Sequence, residues 1–312
     1  MHPALSVIIF TSLSGAGFGL LFLIGALTGT PLLPESRWFA FFGIGLALAS
    51  ATLGLLSSTF HLGRPERAWR AFSQWRSSWL SREGISSMAT FVPALLLGGI
   101  WFFASERIVW MGWLAAALSV VTIYCTAMIY ASLKTVPRWH NAQVPVNYLL
   151  LGLMSGSLLL NGLLALFFAP APAITWFTLL VIVAAAVCKF AYWRWIDRAA
   201  ATSTSESATG LGALGKVRLL EAPHSEENYL MREMGHVIAR KHAGPLRGIS
   251  LALGFGLPLL LTLLAMTWPG WPAIIATILA AGFGMLGILV ERWLFFAEAK
   301  HAVTLYYGTA AI

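Results

Sequence analysis

The sequence predicts an all-α integral membrane protein: a bundle of eight transmembrane helices with a cytoplasmic loop and helix between spans six and seven. Three observations predict it. Of 312 residues, 58% are hydrophobic and only 10% are charged, against about 25% charged in a soluble domain. The mean hydropathy is +0.78. Eight separate stretches also supply the roughly 20 apolar residues that a crossing helix needs. So few charges leave a globular surface of this size unsolvated. A soluble enzyme, a disulfide-built secreted domain and a nucleic-acid module are excluded together.

The spans are expected at about 4–27, 38–60, 83–104, 108–130, 146–168, 174–194, 248–267 and 272–295. The first is too long for a signal-peptide core and lacks a basic leader, so it is expected to be retained. Breakers separate several spans: Thr30-Pro31 with Pro34, Ala169-Pro170-Ala171-Pro172, and Trp268-Pro269-Gly270-Trp271-Pro272. The glycine pairs Gly15/Gly19 and Gly152/Gly156, and the strip Gly282, Gly284, Gly287, predict close helix packing. Cys125 and Cys188 fall inside apolar runs and read as buried thiols. The chain is read as a single membrane domain without an internal repeat. Its span centres are expected to offer almost no polar residues or broken helices, which argues against a transporter or channel.

The one sizeable polar segment is 195–246. Residues 199–207, rich in Ala, Ser and Thr, read as a flexible linker. Beyond it Ser225 suits an N-cap, with Glu226 and Glu227 in the first turn. Arg240, Lys241 and His242 with Gly244 and Pro245 suit the end of that helix. Leu230, Met234 and Val237 give it a narrow apolar stripe, to be buried on a partner protein or the lipid interface.

Charge sets the orientation. With an even number of spans both termini share one side. On that side fall all of the 20 Lys and Arg except Arg37 and Arg107, and all of the 12 Asp and Glu except Glu35 and Glu106. The whole +8 then belongs to one face. The positive-inside rule makes that face cytoplasmic. No nucleic acid is needed to account for the surplus.

The densest polar cluster follows span two: His61-Leu62-Gly63-Arg64-Pro65-Glu66-Arg67, then Trp69, Arg70, Trp75, Arg76 and Trp79, ending at Ser81-Arg82-Glu83. His61 closes the second span and Glu83 opens the third, so both are expected near one pocket at the inner boundary. A helix C-terminus favours the imidazolium of His61; a helix N-terminus favours the carboxylate of Glu83, while desolvation opposes it. Such a pair at a lipid-facing pocket suits the carbonyl and the protons of a quinone. The plainer alternative makes His61 an interfacial cap and Glu83 a salt-bridge partner of Arg82, and residue types alone leave both open. The loop Lys134–Asn141 offers Trp139 and His140 at the same depth, or simply positive-inside charge. None of the seven histidines lies mid-span, and no CxxC or Walker loop occurs. No haem, iron–sulfur cluster or metal site is therefore expected in this chain.

With those residues set out, the sequence resembles the membrane anchor subunit of the dimethyl sulfoxide reductase family. The similarity rests on His61–Pro65, on Trp79–Glu83, on Trp139-His140-Asn141 with Pro145, and on the eight-span layout. The resemblance implies a three-subunit oxidoreductase. A molybdopterin catalytic subunit and a four-cluster, ferredoxin-like iron–sulfur subunit would exchange electrons with quinone, ubiquinone or menaquinone, at the anchor. It implies His61 and Glu83 as the reactive pair, with Arg64, Arg82, Trp139 and His140 as further quinone-binding residues. Within 195–246, Gly210–Gly212, Gly215–Glu221 and His224–Tyr229 resemble the longer anchors of cytoplasmic sulfite-oxidising enzymes. Sulfite oxidation coupled to quinone reduction is the expectation, with quinol oxidation for dimethyl sulfoxide reduction as the alternative. A purely structural anchor and a di-haem cytochrome b are the remaining rivals.

Overall fold

The computed structural model describes residues 4–61, 64–167, 171–221, 226, 228, 231, 234 and 242–312, with only the backbone for His61 and Pro65. Among them, eight helices are long and apolar enough to cross a membrane: α1 (Leu5–Leu27), α2 (Arg37–Ser57), α3 (Trp79–Ala104), α4 (Val109–Ala131), α5 (Gln143–Phe167), α6 (Pro172–Arg198), α7 (Ala243–Thr267) and α8 (Trp271–Ala297). The eight-span, all-helical membrane architecture read from composition is the architecture found. The helix expected between Ser225 and His242 lies mostly outside the described residues.

Helix α1 is the hub, packed against α2, α4, α5 and α8. It has no charged residue and is rich in small ones, so other helices approach its backbone on several sides. The closest approach is to α5. A Cβ at Gly19 would fall on the Gly152 backbone, and one at Gly156 on the backbone of Gly19 and Leu20. Those two positions require glycine on steric grounds, as the GxxxG spacing predicts. A Cβ at Gly15 or Gly282 would meet nothing, so the strips act through only some of their members. A second crossing sets Gly254 of α7 against Gly287 of α8. There α7 widens into a π-helical turn over Ala252–Gly256, and Ser250 Oγ donates to Gly287 O at 3.3 Å.

Two boundaries differ from expectation where charges had suggested helix ends. Helix α3 starts at Trp79, N-capped by Ser78, whose Oγ accepts the Ser81 N–H at 3.4 Å. Helix α6 continues to Arg198, past the expected end at Arg194. Nor is 199–207 a free linker. Thr204 caps the short helix Ser205–Thr209, and this stretch pairs with the C-terminal residues, with Thr202 N–H donating to Ile312 O at 2.8 Å and Ile312 N–H to Ser203 O at 3.0 Å. Arg247 clamps three helix ends, pairing with Asp197 of α6 at 2.6 Å and Glu298 after α8 at 2.8 Å.

The C-terminal segment also carries a pH-sensitive contact. His301 Nδ1 accepts the Val303 N–H at 3.0 Å, and burial holds the imidazole below its ordinary value of 6.5. The fold thus favours neutral His301. Its contribution is complete above about pH 6.5 and is lost as pH falls through the lowered folded-state value. Amide protection factors over 302–308, taken relative to the intrinsic exchange rate at each pH, should fall on acidification from pH 7 to 5, and His301→Gln should flatten that dependence.

Candidate functional site

The loop between α2 and α3 folds onto the end of the bundle that carries the termini. After α2 the chain makes a 3-10 turn, Ser58–His61, lying against α1 and α2. A second 3-10 segment, Pro65–Gln74, packs on α3. Two contacts pin it there: Ser81 Oγ donates to Ala71 O, and the Phe72 ring lies over Gly84. His61 thus ends the turn that leaves α2; Leu62 and Gly63 lie outside the described residues.

Glu83 sits in the second turn of α3, four residues past its start, and is only 3% exposed. This corrects the expectation that it opens the helix. At that depth the helix-dipole contribution has largely faded. Nor does it pair with Arg82. Arg82 turns the other way, donating from Nε to Trp75 O (2.9 Å) and from Nη2 to Arg76 O (2.7 Å), with its guanidinium 4.2 Å from the Trp79 ring centroid. The Glu83 carboxylate accepts from Thr126 Oγ1 of α4 and makes no ion pair among the described residues.

Glu83 heads a polar seam. Ser86, Ser87 and Thr90 follow it at helical spacing on α3, facing Ser119, Thr122 and Thr126 of α4. Thr90 Oγ1 and Thr122 Oγ1 lie 3.2 Å apart. Hydroxyls of this kind satisfy themselves on the preceding turn, as Thr90 does on Ser86 O at 2.7 Å. They therefore cost little in an apolar span and are inconspicuous in sequence. The outward face of α3 is apolar, with Leu80, Met88, Val92 and Leu95 exposed.

The other expected site residues separate. Arg64 is exposed at the start of the 3-10 segment. Trp139 is buried, its Nε1 donating to Phe295 O at 2.9 Å and its ring stacked on Phe295 at 5.4 Å. His140 is exposed, with Nδ1 2.7 Å from Ala131 O. It lines a pocket of about 710 Å³ with Lys134, Arg138 and Lys300, which includes neither Glu83 nor Thr126. The Trp139–His140 loop and Glu83 are therefore not brought into one pocket.

The largest omission from the sequence reading is a charge cluster inside the bundle. Lys189 of α6 pairs with Glu291 of α8, and Arg292 Nε lies 3.5 Å from Glu291 Oε2. Lys189 and Glu291 are each 1% exposed and Arg292 is 3%. Aromatic faces surround the cations: Arg292 is 3.7 Å from the Tyr148 centroid, and Lys189 4.3 Å from that of Tyr192. These charges lie towards the inner ends of α6 and α8, where only charge for the inner face was expected. The available signal was one basic residue within span six and an acidic–basic doublet within span eight, read only as rim charge. No group of three or more His, Cys, Asp or Glu gathers as metal ligands among the described residues.

Comparison with known proteins gives a consistent set of similarities. The family sequence model described as "DMSO reductase anchor subunit (DmsC)" matches residues 1–208. An alignment of 336 positions, covering all of both proteins, is 34% identical to the C subunit of the sulfite dehydrogenase of Allochromatium vinosum. The sequence is also 31% identical over 122 residues to the C component of the anaerobic dimethyl sulfoxide reductase of Escherichia coli, covering 36% of this protein and 41% of that one.

Proposed function

The chain belongs to the DMSO reductase anchor subunit family, and from that premise we propose that it is the quinone-reactive membrane subunit of a molybdenum/iron–sulfur oxidoreductase. It would hold the iron–sulfur and molybdopterin subunits on the cytoplasmic face, where the positive-inside rule puts the motif loop and both termini. Full-length similarity to a sulfite dehydrogenase subunit favours sulfite as electron donor over dimethyl sulfoxide as acceptor.

The single observation that carries the reading is Glu83, a carboxyl group buried one turn inside a lipid-bordering helix, with a threonine hydroxyl as its hydrogen-bonding partner and no ion pair among the described residues. Ionisable groups at membrane depth are costly and are kept for function. A quinone headgroup suits these residues: a hydrogen-bonding carboxyl, a cationic rim, and apolar side chains along the outward face of α3. Bound there, a quinone supplies two-electron chemistry that consumes or releases two protons at its carbonyl oxygens. Glu83 holds one exchangeable proton at its carboxyl oxygens. His61, at the end of the turn leaving α2, offers a second hydrogen-bonding and proton-exchanging group. Arg64 and Arg82 bias the rim towards electron-rich oxygen. Trp139 and His140 stand apart from this set, because the Trp139 N–H is engaged by Phe295 O and His140 opens onto another pocket.

The test is the purified three-subunit complex assayed side by side with sulfite plus quinone and with dimethyl sulfoxide plus quinol. Glu83→Gln keeps the shape of the side chain and removes the exchangeable proton. Quinone-coupled turnover should fall about 10²-fold, the lower end for loss of a general acid–base group, with dye-linked activity of the soluble subunits unchanged. An assembled Glu83→Gln complex with normal quinone-coupled turnover would refute the assignment.

A further inference from the structure

Glu83 has no open way to the inner face, because Phe72 and the 3-10 segment cover the first turns of α3. Behind it, away from the lipid, lies a small space between α1, α4, α5 and α8. It is bordered by Ser12, Thr126, Tyr148 and Arg292, and its volume is about 10 Å³, the size at which a polar cavity holds one water molecule. Two of its polar groups, Ser12 Oγ and Tyr148 OH, are buried without a hydrogen-bond partner among the described residues, while Arg292 Nε meets Glu291 Oε2 at 3.5 Å. Thr126, the fourth, is the hydroxyl bonded to Glu83. Partnerless buried polar groups are rare, and two of them beside the Thr126 hydroxyl around one water-sized space match the two to four bonds a buried water makes.

Resting on the reading of Glu83 given above, we propose that this carboxyl group exchanges its proton through the interior of the bundle, by way of Thr126, one water held in this cavity and Tyr148, with the Lys189–Glu291 pair as the proton store. Thr126 has one hydroxyl proton and two acceptors, Glu83 and Thr122 O at 3.0 Å. When Glu83 is ionised, Thr126 donates to it. When Glu83 is protonated, it donates to Thr126 Oγ1, and Thr126 turns to Thr122 O. The hydroxyl thus passes a proton in either direction by rotating. Beyond the water, the Tyr148 ring lies against the Arg292 guanidinium, which meets Glu291, and Lys189 carries the proton at Nζ.

The charges balance at each stage. Loss of a proton from Glu83 leaves one negative charge. Transfer from Lys189 Nζ through Glu291, Tyr148, the water and Thr126 restores neutral Glu83 and moves that charge to the cluster. There Arg292 compensates it until a proton from the inner face refills Lys189. Tyr192, against the Lys189 ammonium, donates its own hydroxyl to Arg138 O at 3.0 Å in the inner loop and so marks the outlet.

The experiment uses the intact three-subunit complex with Thr126→Val, Tyr148→Phe and Lys189→Met, beside Glu83→Gln. The first two remove a hydroxyl with little change of shape, and the third leaves Glu291 paired with Arg292. Each should slow quinone-coupled turnover about ten-fold, a fraction of the loss expected for the proton-exchanging group itself. Each should also enlarge the solvent deuterium isotope effect, with quinone KM and dye-linked activity unchanged. If Glu83→Gln is slow while all three are as fast as the unaltered complex, the relay is wrong and the Glu83 assignment stands. If Glu83→Gln is itself normal, both fall. A map of the unaltered complex that resolves waters gives a test free of mutation: a water bonded to Ser12 and Tyr148 supports the relay, and a dry cavity overturns it.

Discussion

Gly156→Val should abolish accumulation of the folded subunit. A Cβ at this position falls on the backbone of Gly19 and Leu20, and backbone cannot rotate aside as a side chain can. Two of the most buried helices, α1 and α5, would have to separate. Because α1 also packs on α2, α4 and α8, the shift propagates through the hub. Overpacking usually costs about 1–3 kcal/mol where side chains can yield; here the top of that range or more is expected, out of a total of about 5–15 kcal/mol. The measurement is the amount of subunit retained in membranes and co-purified with its partners, with the thermal midpoint of what remains. Gly15→Ala and Gly282→Ala are the controls, since a Cβ there meets nothing. A Gly156→Val protein that accumulates and melts like the unaltered one would show that the α1–α5 crossing is not tight.

Glu291→Leu should be the most damaging single change in the buried charge cluster, and Lys189→Met much milder. Lys189 and Arg292 are both cations, and Glu291 is the anion that both of them meet. Removing Glu291 leaves two neighbouring positive charges in an apolar bundle, and loss of a buried counter-ion costs about 3–5 kcal/mol. Removing Lys189 leaves Glu291 beside Arg292, still neutral as a pair. Adding Lys189→Met to Glu291→Leu should therefore recover part of the loss, a non-additivity diagnostic of direct coupling. Thermal unfolding of the detergent-solubilised complex for the two single variants and the double reads it directly. Equal losses for the two single changes would contradict the charge count.

The architecture was legible because the hydrocarbon core imposes a length on every span, and 58% hydrophobic residues leave few other ways to fold. Boundaries were less legible where charge meets the membrane. Trp79-Leu80-Ser81-Arg82 reads as interface, yet Ser78 caps a helix that already includes it. Arg194 reads as a span end, yet α6 runs on to Arg198, and Lys189, read only as charge for the inner face, sits buried because Glu291, far away in sequence, is its counter-ion. Glu83 stood out by its chemistry. Its partner Thr126 did not, being a lone hydroxyl in an apolar run that only the α3–α4 packing brings near. Trp139 and His140, adjacent in sequence and at one depth, diverge because consecutive residues of a tight loop point to different sides: one into the Phe295 stack, the other towards a separate pocket.

The π-helical turn in α7 has a consequence for chain length. A turn closed over five residues instead of four holds one residue more than a regular helix would. Since each residue of an α-helix advances the azimuth by about 100°, that surplus residue rotates everything after it. Ser250 and Gly254 both meet Gly287 across the widened turn. Deleting a single residue within Ala252–Gly256 would let the helix relax to regular pitch. It would also swing the buried Thr262 and Ala265 out of the bundle and turn the outward-facing Leu260 and Leu263 round towards it, so this span is tuned by the number of its residues as much as by their identity.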